Sequence, residues 1–326
     1  MKKICLVLLA FSAIHAQVNA QHITEVNKIC ITVSSLQDAL QFYTKVLPFE
    51  LEGTEEFFGA EYESLLGKFG IRYKVAHLSL GNEKVDLIDY LTPGGRSYPE
   101  TQKSNDLSFQ HIAIVVSDMD KAFALLSQNN VEYVSTAPQT IPASNAAAAG
   151  IRAFYFHDND RHTLELIYFP KGKGNPKWQQ TSGQLFLGID HTAIGISDTD
   201  TAAIFWNSLL DLKKRGESHN MGTEQAHLNN VAGAELHITG NAADKGPGVE
   251  FLQYLIPGVG MATPLDTQCD DLWNWITVMY CDNVVQLHHT LAQNINYATG
   301  TLVSIHEKNQ FVTRDYDGHA IWIIQQ

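Results

Sequence analysis

The chain has 326 residues, 44% of them apolar, and 22 Lys and Arg against 35 Asp and Glu give it a net charge of -13. Length and apolar content suit two compact domains with real cores. The acidic balance disfavours nucleic acid or an anionic membrane surface as a partner.

At the N-terminus, Met1-Lys2-Lys3, the apolar run Ile4 to Ala13 and the small-residue end Val18-Asn19-Ala20 have the three parts of a secretory signal peptide. Cleavage is expected after Ala20, with export to the periplasm if the source is Gram-negative. The apolar run is too short to span a bilayer, so no membrane insertion is expected. Three cysteines follow, Cys30, Cys269 and Cys281, with no Cys-x-x-Cys spacing. Three buried thiols are expected in preference to a Cys30–Cys281 bridge.

The first strand candidate is Lys28-Ile-Cys-Ile-Thr-Val-Ser-Ser, followed by Ala39, Phe42, Tyr43 and Leu47 at helical spacing. A strand is expected over Tyr73 to Leu80 and another around Asp86. The pattern restarts at His111-Ile-Ala-Ile-Val-Val-Ser-Asp, with strands at Gly150 to Phe156 and around Glu165 in Leu164-Glu-Leu-Ile-Tyr168. Between them Ala143 to Gly150 reads as a small-residue surface loop or flap. The polar segment Lys171 to Trp178 reads as a linker, because its glycines are not followed by the Gly-Lys-Ser/Thr of a phosphate loop.

A third copy opens at His191-Thr-Ala-Ile-Gly-Ile-Ser-Asp, with Ala202, Phe205, Trp206 and Leu210 repeating the first helical set and Glu250 in Val249-Glu-Phe-Leu252. A fourth opens at Trp275-Ile-Thr-Val-Met-Tyr-Cys-Asp and ends around Trp322. Positions 28, 111, 191 and 275 therefore mark a fourfold tandem, too long in period for a solenoid. Two of the copies carry a matching turn, Asp158-Asn-Asp-Arg-His162 and Asp315-Tyr-Asp-Gly-His319. These histidines are expected in turns, supporting the site from outside, and not as ligands.

The duplicated spacing of His111 with Glu165 and His191 with Glu250 points to one metal site. Imidazole and carboxylate suit a divalent ion such as zinc, nickel, iron or manganese. Single strand histidines are usually satisfied core residues, whereas four candidates at repeated positions favour a shared ion. His77, His227 and His237 are held in reserve.

A βαβββ module with a ligand at the start of its first strand and another in its last resembles the vicinal oxygen chelate superfamily. That superfamily includes glyoxalase I, fosfomycin resistance proteins, methylmalonyl-CoA epimerase and extradiol dioxygenases. The resemblance covers about residues 23 to 326. Gly222-Thr-Glu-Gln-Ala-His-Leu-Asn-Asn230 and Leu185-Phe-Leu-Gly-Ile-Asp-His191 are similar to tandem bacterial members described as glyoxalases or dioxygenases.

The resemblance implies an α+β fold: four βαβββ modules forming two curled mixed β-sheet domains with flanking helices. In chain order the expected parts are the signal peptide 1–20, a first two-module domain 21–170, a linker 171–185 and a second two-module domain 186–326. Mapped onto the modules, the ligand positions are Lys28 and Asp86, His111 and Glu165, His191 and Glu250, and Trp275 and Trp322. If neighbouring modules pair, the good ligands are split. If the second pairs with the third and the first with the fourth, His111, Glu165, His191 and Glu250 converge as in bacterial glyoxalase I, which is the arrangement expected here. Lys28 and Asp86 then form a salt bridge in a metal-free counterpart.

By resemblance the activity is that of a metal-dependent lyase or isomerase acting on a small substrate with vicinal oxygens, through an enediolate-like anion. Glu165 is the expected base, with Glu250 the second choice. A ferrous ring-cleaving dioxygenase is the alternative, although Trp275 and Trp322 stand where that group places ligands. A binding protein of the bleomycin-resistance kind is a third. If the leader is removed as read, intact-mass analysis of exported protein gives a chain beginning at Gln21; exported protein retaining residues 1–20 would refute that reading.

Overall fold

The computed structural model describes residues 22–92, 94–180 and 183–326, so the signal-like segment 1–20 lies outside the described residues. The first module runs β1 (Ile23–Val33), α1 (Leu36–Gln41), β2 (Glu50–Phe58), α2 (Ala60–Leu66), β3 (Arg72–Leu80) and β4 (Glu83–Tyr90). The second has β5 (Gln110–Val116), α3 (Met119–Gln128), β6 (Gln139–Thr140), β7 (Arg152–His157) and β8 (Thr163–Tyr168). The third has β9 (Phe186–Ile196), α4 (Thr199–Ala203), β10 (Lys213–Asn220), α5 (Thr223–Asn229), β11 (Glu235–Ala242) and β12 (Gly248–Ile256). The fourth has β13 (Trp275–Cys281), α6 (Val284–Ala292), β14 (Val303–Ile305), β15 (Lys308–Arg314) and β16 (Ala320–Gln325).

In each module the strand-to-helix corner is set by the same local chemistry. Ser35, Asp118, Asp198 and Asn283 each accept the backbone N–H three residues on and so cap α1, α3, α4 and α6. Each cap satisfies an otherwise orphaned donor and is worth about 1 kcal/mol.

The modules assemble into two eight-stranded mixed sheets. One has the order β14-β15-β16-β13-β1-β4-β3-β2, the other β10-β11-β12-β9-β5-β8-β7-β6. The first module therefore joins the fourth and the second joins the third, the pairing that unites the candidate ligands. Each sheet takes one module from either side of the segment 171–185. Within a module the first and last strands are parallel, and the two modules of a sheet meet through antiparallel β1–β13 or β5–β9.

One face of both sheets and the four capped helices form a single large core that contains Tyr43, Phe154, Phe205, Trp206, Trp275 and Phe311. The opposite face of each sheet has smaller clusters of its own. Cys30, Cys269 and Cys281 are buried free thiols, as expected.

The register corrects one sequence assignment. Lys28, His111 and His191 each pair in parallel with the residue two before the module's acidic position: Lys84, Thr163 and Gly248. In the fourth module the residue so placed is Ile276, opposite Ala320, and not Trp275. Because side chains alternate along a strand, Trp275 points into the large core while Ile276 joins the other face.

The two Asp-x-Asp-x-His turns clasp the sheets together. Asp158 accepts from Tyr43 Oη (3.1 Å), Asp160 accepts from the Ser34 N–H (2.8 Å), and His162 Nε2 donates to the Leu272 carbonyl (3.0 Å), all in the other sheet or its loops. Reciprocally, Asp315 accepts from Trp206 Nε1 (3.0 Å), Asp317 from the Ser197 N–H (3.0 Å), and His319 Nε2 donates to the Gly195 carbonyl (2.7 Å). These histidines are sheet-to-sheet fasteners.

His162 also faces Asp158 through Nδ1 at 2.8 Å, so both of its ring partners are acceptors and the ring carries both protons. Burial opposes that charge, but Asp158 outweighs it and raises the imidazole above its ordinary 6.5. Asp158 is pushed up by burial, yet its pairing and hydrogen bonds with His162 hold it below the ordinary 3.8.

The sign of each contribution follows. The Asp158 part is present above 3.8 and lost as pH falls through its lowered folded value; the His162 part is present below 6.5 and lost as pH rises through its raised folded value. His162→Gln is therefore expected to lower unfolding free energy by about 3 kcal/mol in denaturant melts near pH 5, with a smaller loss at pH 9; an equal loss at both would exclude the charged pair.

Candidate metal centre

His111 opens β5 and its ring is fully buried. Antiparallel β5–β9 pairing sets it opposite Ala193, and sets His191 opposite Ala113, so the two histidines lie on one face of adjacent strands. Parallel pairing then brings β8 beside β5 and β12 beside β9, which delivers Glu165 and Glu250 to the same face.

The four side chains meet. His111 Nε2 stands 3.1 Å from Glu165 Oε2, and His191 Nε2 stands 3.6 Å from both Glu165 Oε2 and Glu250 Oε1. One ligating atom from each of His111, Glu165 and His191 lies within 4.8 Å of the other two. Glu250 is at the open side, its side chain 26% exposed against 6% for Glu165.

These distances suit a divalent ion. Two donors held about 2.1 Å from one metal stand roughly 3 to 3.5 Å apart. Among the described residues, the buried ring nitrogens His111 Nδ1 and Nε2 and His191 Nε2 have no hydrogen-bond partner. Left so, each costs about 1 to 3 kcal/mol, which a shared cation removes at the two Nε2 atoms. The buried His111–Glu165–His191 cluster is thus a group able to hold a divalent cation.

The electrostatics divide the histidines. Burial lowers His111 below its ordinary value, and Glu165 only partly opposes this, so it is neutral, the form that ligates. For His191 burial also disfavours charge, but Glu250, Asp190 and Glu165 together raise it to about 10. Burial pushes Glu250 up to about 7 in spite of His191, helped by Glu165 and Asp190.

Support from outside the cluster comes from a residue that alternation places wrongly. Asp190 is skipped in the β5–β9 register, where Ala113 faces His191 and Ile114 faces Ile189. This bulge lets Asp190 accept from His191 Nδ1 (3.1 Å), so that Nε2 is the nitrogen that would give up its proton to a metal. Asp190 in turn accepts from Trp178 Nε1. Lys177 lies 4.1 Å over the Trp178 ring and pairs with Glu83 of the other sheet (2.7 Å), which also accepts from the Ile189 N–H. A Cβ at Gly188 would sit 2.3 Å from Glu83 Oε2, so only glycine admits this contact. The linker is therefore part of the scaffold of His191; its signal in the sequence was only Asp190 beside His191.

Segment 142–149 links the opposite edges of the sheet. Asn145 Nδ2 donates to the His219 carbonyl (3.3 Å) and to Asn220 Oδ1 (2.6 Å), while Lys173 Nζ donates to the Ala146 and Ala147 carbonyls (2.7 and 3.0 Å). Tyr155 reaches the cluster, its ring 4.8 Å from that of His111. Phe154 and Trp275 are core residues, and Trp273 packs on Tyr98 and Arg96. His77 pairs with Asp86 and His237 with Glu217; neither they nor His227 join the cluster.

In the first sheet the equivalent place holds a salt bridge, Lys28 Nζ to Asp86 Oδ2 at 2.5 Å, as expected. His77 Nδ1 adds 2.8 Å to Asp86 Oδ1. Ile276 and Trp322 complete that set, and neither is a ligand.

The profile of the Glyoxalase/Bleomycin resistance protein/Dioxygenase superfamily matches residues 21–166. A protein named 2-epi-5-epi-valiolone epimerase from Actinomyces sp is 30% identical over 166 residues, 49% of this chain and 87% of the relative. The chain belongs to this superfamily. Glyoxalase I from Zea mays superposes with a TM-score of 0.60 at 12% identity, covering 94% of this chain and 92% of its own. A putative dioxygenase from Bacillus subtilis gives 0.58 at 14%, covering 94% and 86%. Both likenesses speak for the superfamily fold along nearly the whole chain.

Histidine NMR titration of chelator-treated protein should find His191 still protonated at pH 8 and His111 neutral at pH 7. A His191 midpoint near 6.5 would show that the carboxylates do not act on it as described.

Proposed function

We propose that the protein is a metal-dependent isomerase or lyase of glyoxalase type that moves a proton on a carbon next to a carbonyl of a small substrate with vicinal oxygens. The observation that carries this is His191 Nε2 placed 3.6 Å from each of two glutamates, one buried beside His111 and one at the open side. The relative named as an epimerase supports proton transfer over ring cleavage. With its leader read as a signal peptide, the reaction is placed outside the cytoplasm.

His111, His191 and Glu165 would hold the ion, with Glu250 its fourth and looser ligand. When bound, a divalent metal supplies a Lewis acid that stabilises the anion left as the proton departs. Glu250 is the better base of the two glutamates. It faces the open side, where it can take the proton from carbon and return it. Glu165, buried between two imidazoles, is held to the ligand role. Asp190 and Trp178 orient His191.

Purified protein should carry about one equivalent of metal, lost in the His111→Ala, His191→Ala double variant; full retention in that variant would sink the shared site, and a metal-free wild type would favour a binding protein. Glu250→Gln should keep the metal and lower turnover by about 10² to 10⁴, while Glu165→Gln should weaken the metal itself. Because His191 is protonated at pH 7 and Glu250 partly so, loading should release between about one and two protons, and affinity should rise with pH. Calorimetry in buffers of different ionisation enthalpy counts them.

A second reading rests on the triad itself, since two histidines and one carboxylate with open positions suit ferrous dioxygenases. Oxygen uptake with catechols after ferrous loading would favour it, and oxygen-independent turnover the isomerase.

A further inference from the structure

Beside the metal cluster lies a cavity of about 330 Å³. Phe109 and Thr163 line it, each two residues before a member of the cluster, His111 or Glu165, and on the same strand face. Two strand residues span roughly 7 Å. The Phe109 ring stands 5.6 Å from that of His111, and so lies between the cluster and the cavity.

Much of the rest of the lining is polar. Lys103, His157, Arg161 and Asn229 all face it. Among the described residues the buried donors Arg161 Nε and Asn229 Nδ2 have no hydrogen-bond partner. Asn229 is 1% exposed and the His157 side chain 10%. Unmade bonds at two buried donors on one cavity point to a ligand that accepts them.

The charges indicate its chemistry. Among the described residues, the guanidinium of Arg161 and the ammonium of Lys103 have no carboxylate partner. Of the acids on the wall, Glu132 is engaged 3.3 Å from His157 and Glu100 is exposed to solvent. Two cations with free donors, one of them a planar fork, match an oxyanion.

The backbone adds a further sign. Arg161 has φ +67°, in the left-handed region, at the place in its turn where the duplicate turn has Gly318, φ +97°. Glycine adopts that conformation freely, whereas arginine is strained there, so the side chain is retained against the local preference.

We propose that this cavity is an oxyanion-binding site that takes the carboxylate or phosphate group of a small molecule, with Arg161 as its principal contact. It stands independently of the metal reading. Protein stripped of metal and dialysed free of chelator would be titrated calorimetrically with inorganic phosphate and, separately, with malonate. One-site binding of either is expected; phosphate alone would identify a phosphoryl ligand, malonate alone a carboxylate.

Arg161→Gly should weaken that binding roughly tenfold or more, with a thermal midpoint equal to or above wild type, since glycine relieves the turn. Lys103→Gln, on an exposed side chain, should weaken it less without changing the midpoint. No binding of either anion, or binding that Arg161→Gly leaves within about twofold, would overturn the proposal. So would a lowered midpoint in Arg161→Gly with binding retained, which would mark Arg161 as a structural residue.

Discussion

Antiparallel pairing of β5 with β9 is the constraint on which the site depends. Its register puts His111 opposite Ala193 and His191 opposite Ala113, so that two small residues leave room for two imidazoles on one face. A slip of one residue would turn each histidine into the large core. Parallel neighbours β8 and β12 then have no freedom in where they deliver Glu165 and Glu250. The skipped Asp190 breaks the alternation once, and in doing so places a carboxylate behind His191 that regular pairing would have turned away.

The environment gives chemically identical side chains different states. His111 sits at full burial with one carboxylate near and is neutral; His191 has three carboxylates about it and holds a proton to about 10. Glu250 is pushed up to about 7 by burial and by its acidic neighbours. Such opposed shifts within a few ångströms are the usual mark of a site where protons or cations move.

The outer pair of modules makes the comparison that defines the inner pair. The same topology and register yield Lys28 with Asp86, His77 beside them, and Ile276 and Trp322 in place of the second His and Glu. There a tethered ammonium balances the carboxylate that an ion would balance in the other sheet. Burial opposes the charge of Lys28, but its pairing with Asp86 keeps the ammonium charged. The fold thus supports a polar cluster at either place, and side-chain identity decides whether it is closed by a lysine or left open for a cation.

The repeat and the His and Glu positions were legible because they rest on local rules: strand alternation and turn residues at fixed offsets. Even the preference for joining the second module to the third came from counting which pairing satisfied four polar side chains. Trp275 was misplaced by one residue because a strand of continuous apolar residues does not announce which face is which; only the pairing of Ile276 with Ala320 settles it. Asp190, Trp178 and the Lys177–Glu83 contact were not legible at all, since a bulge and a contact between sheets leave no periodic trace. The cavity at Arg161 is of the same kind: its lining comes from loops and strands far apart in the chain. The sequence by itself determined the modules and the ligand types, which depend on neighbours along the chain. The tertiary structure alone decided which residues share a face, how far each is buried and what charge it carries, because those depend on neighbours in space.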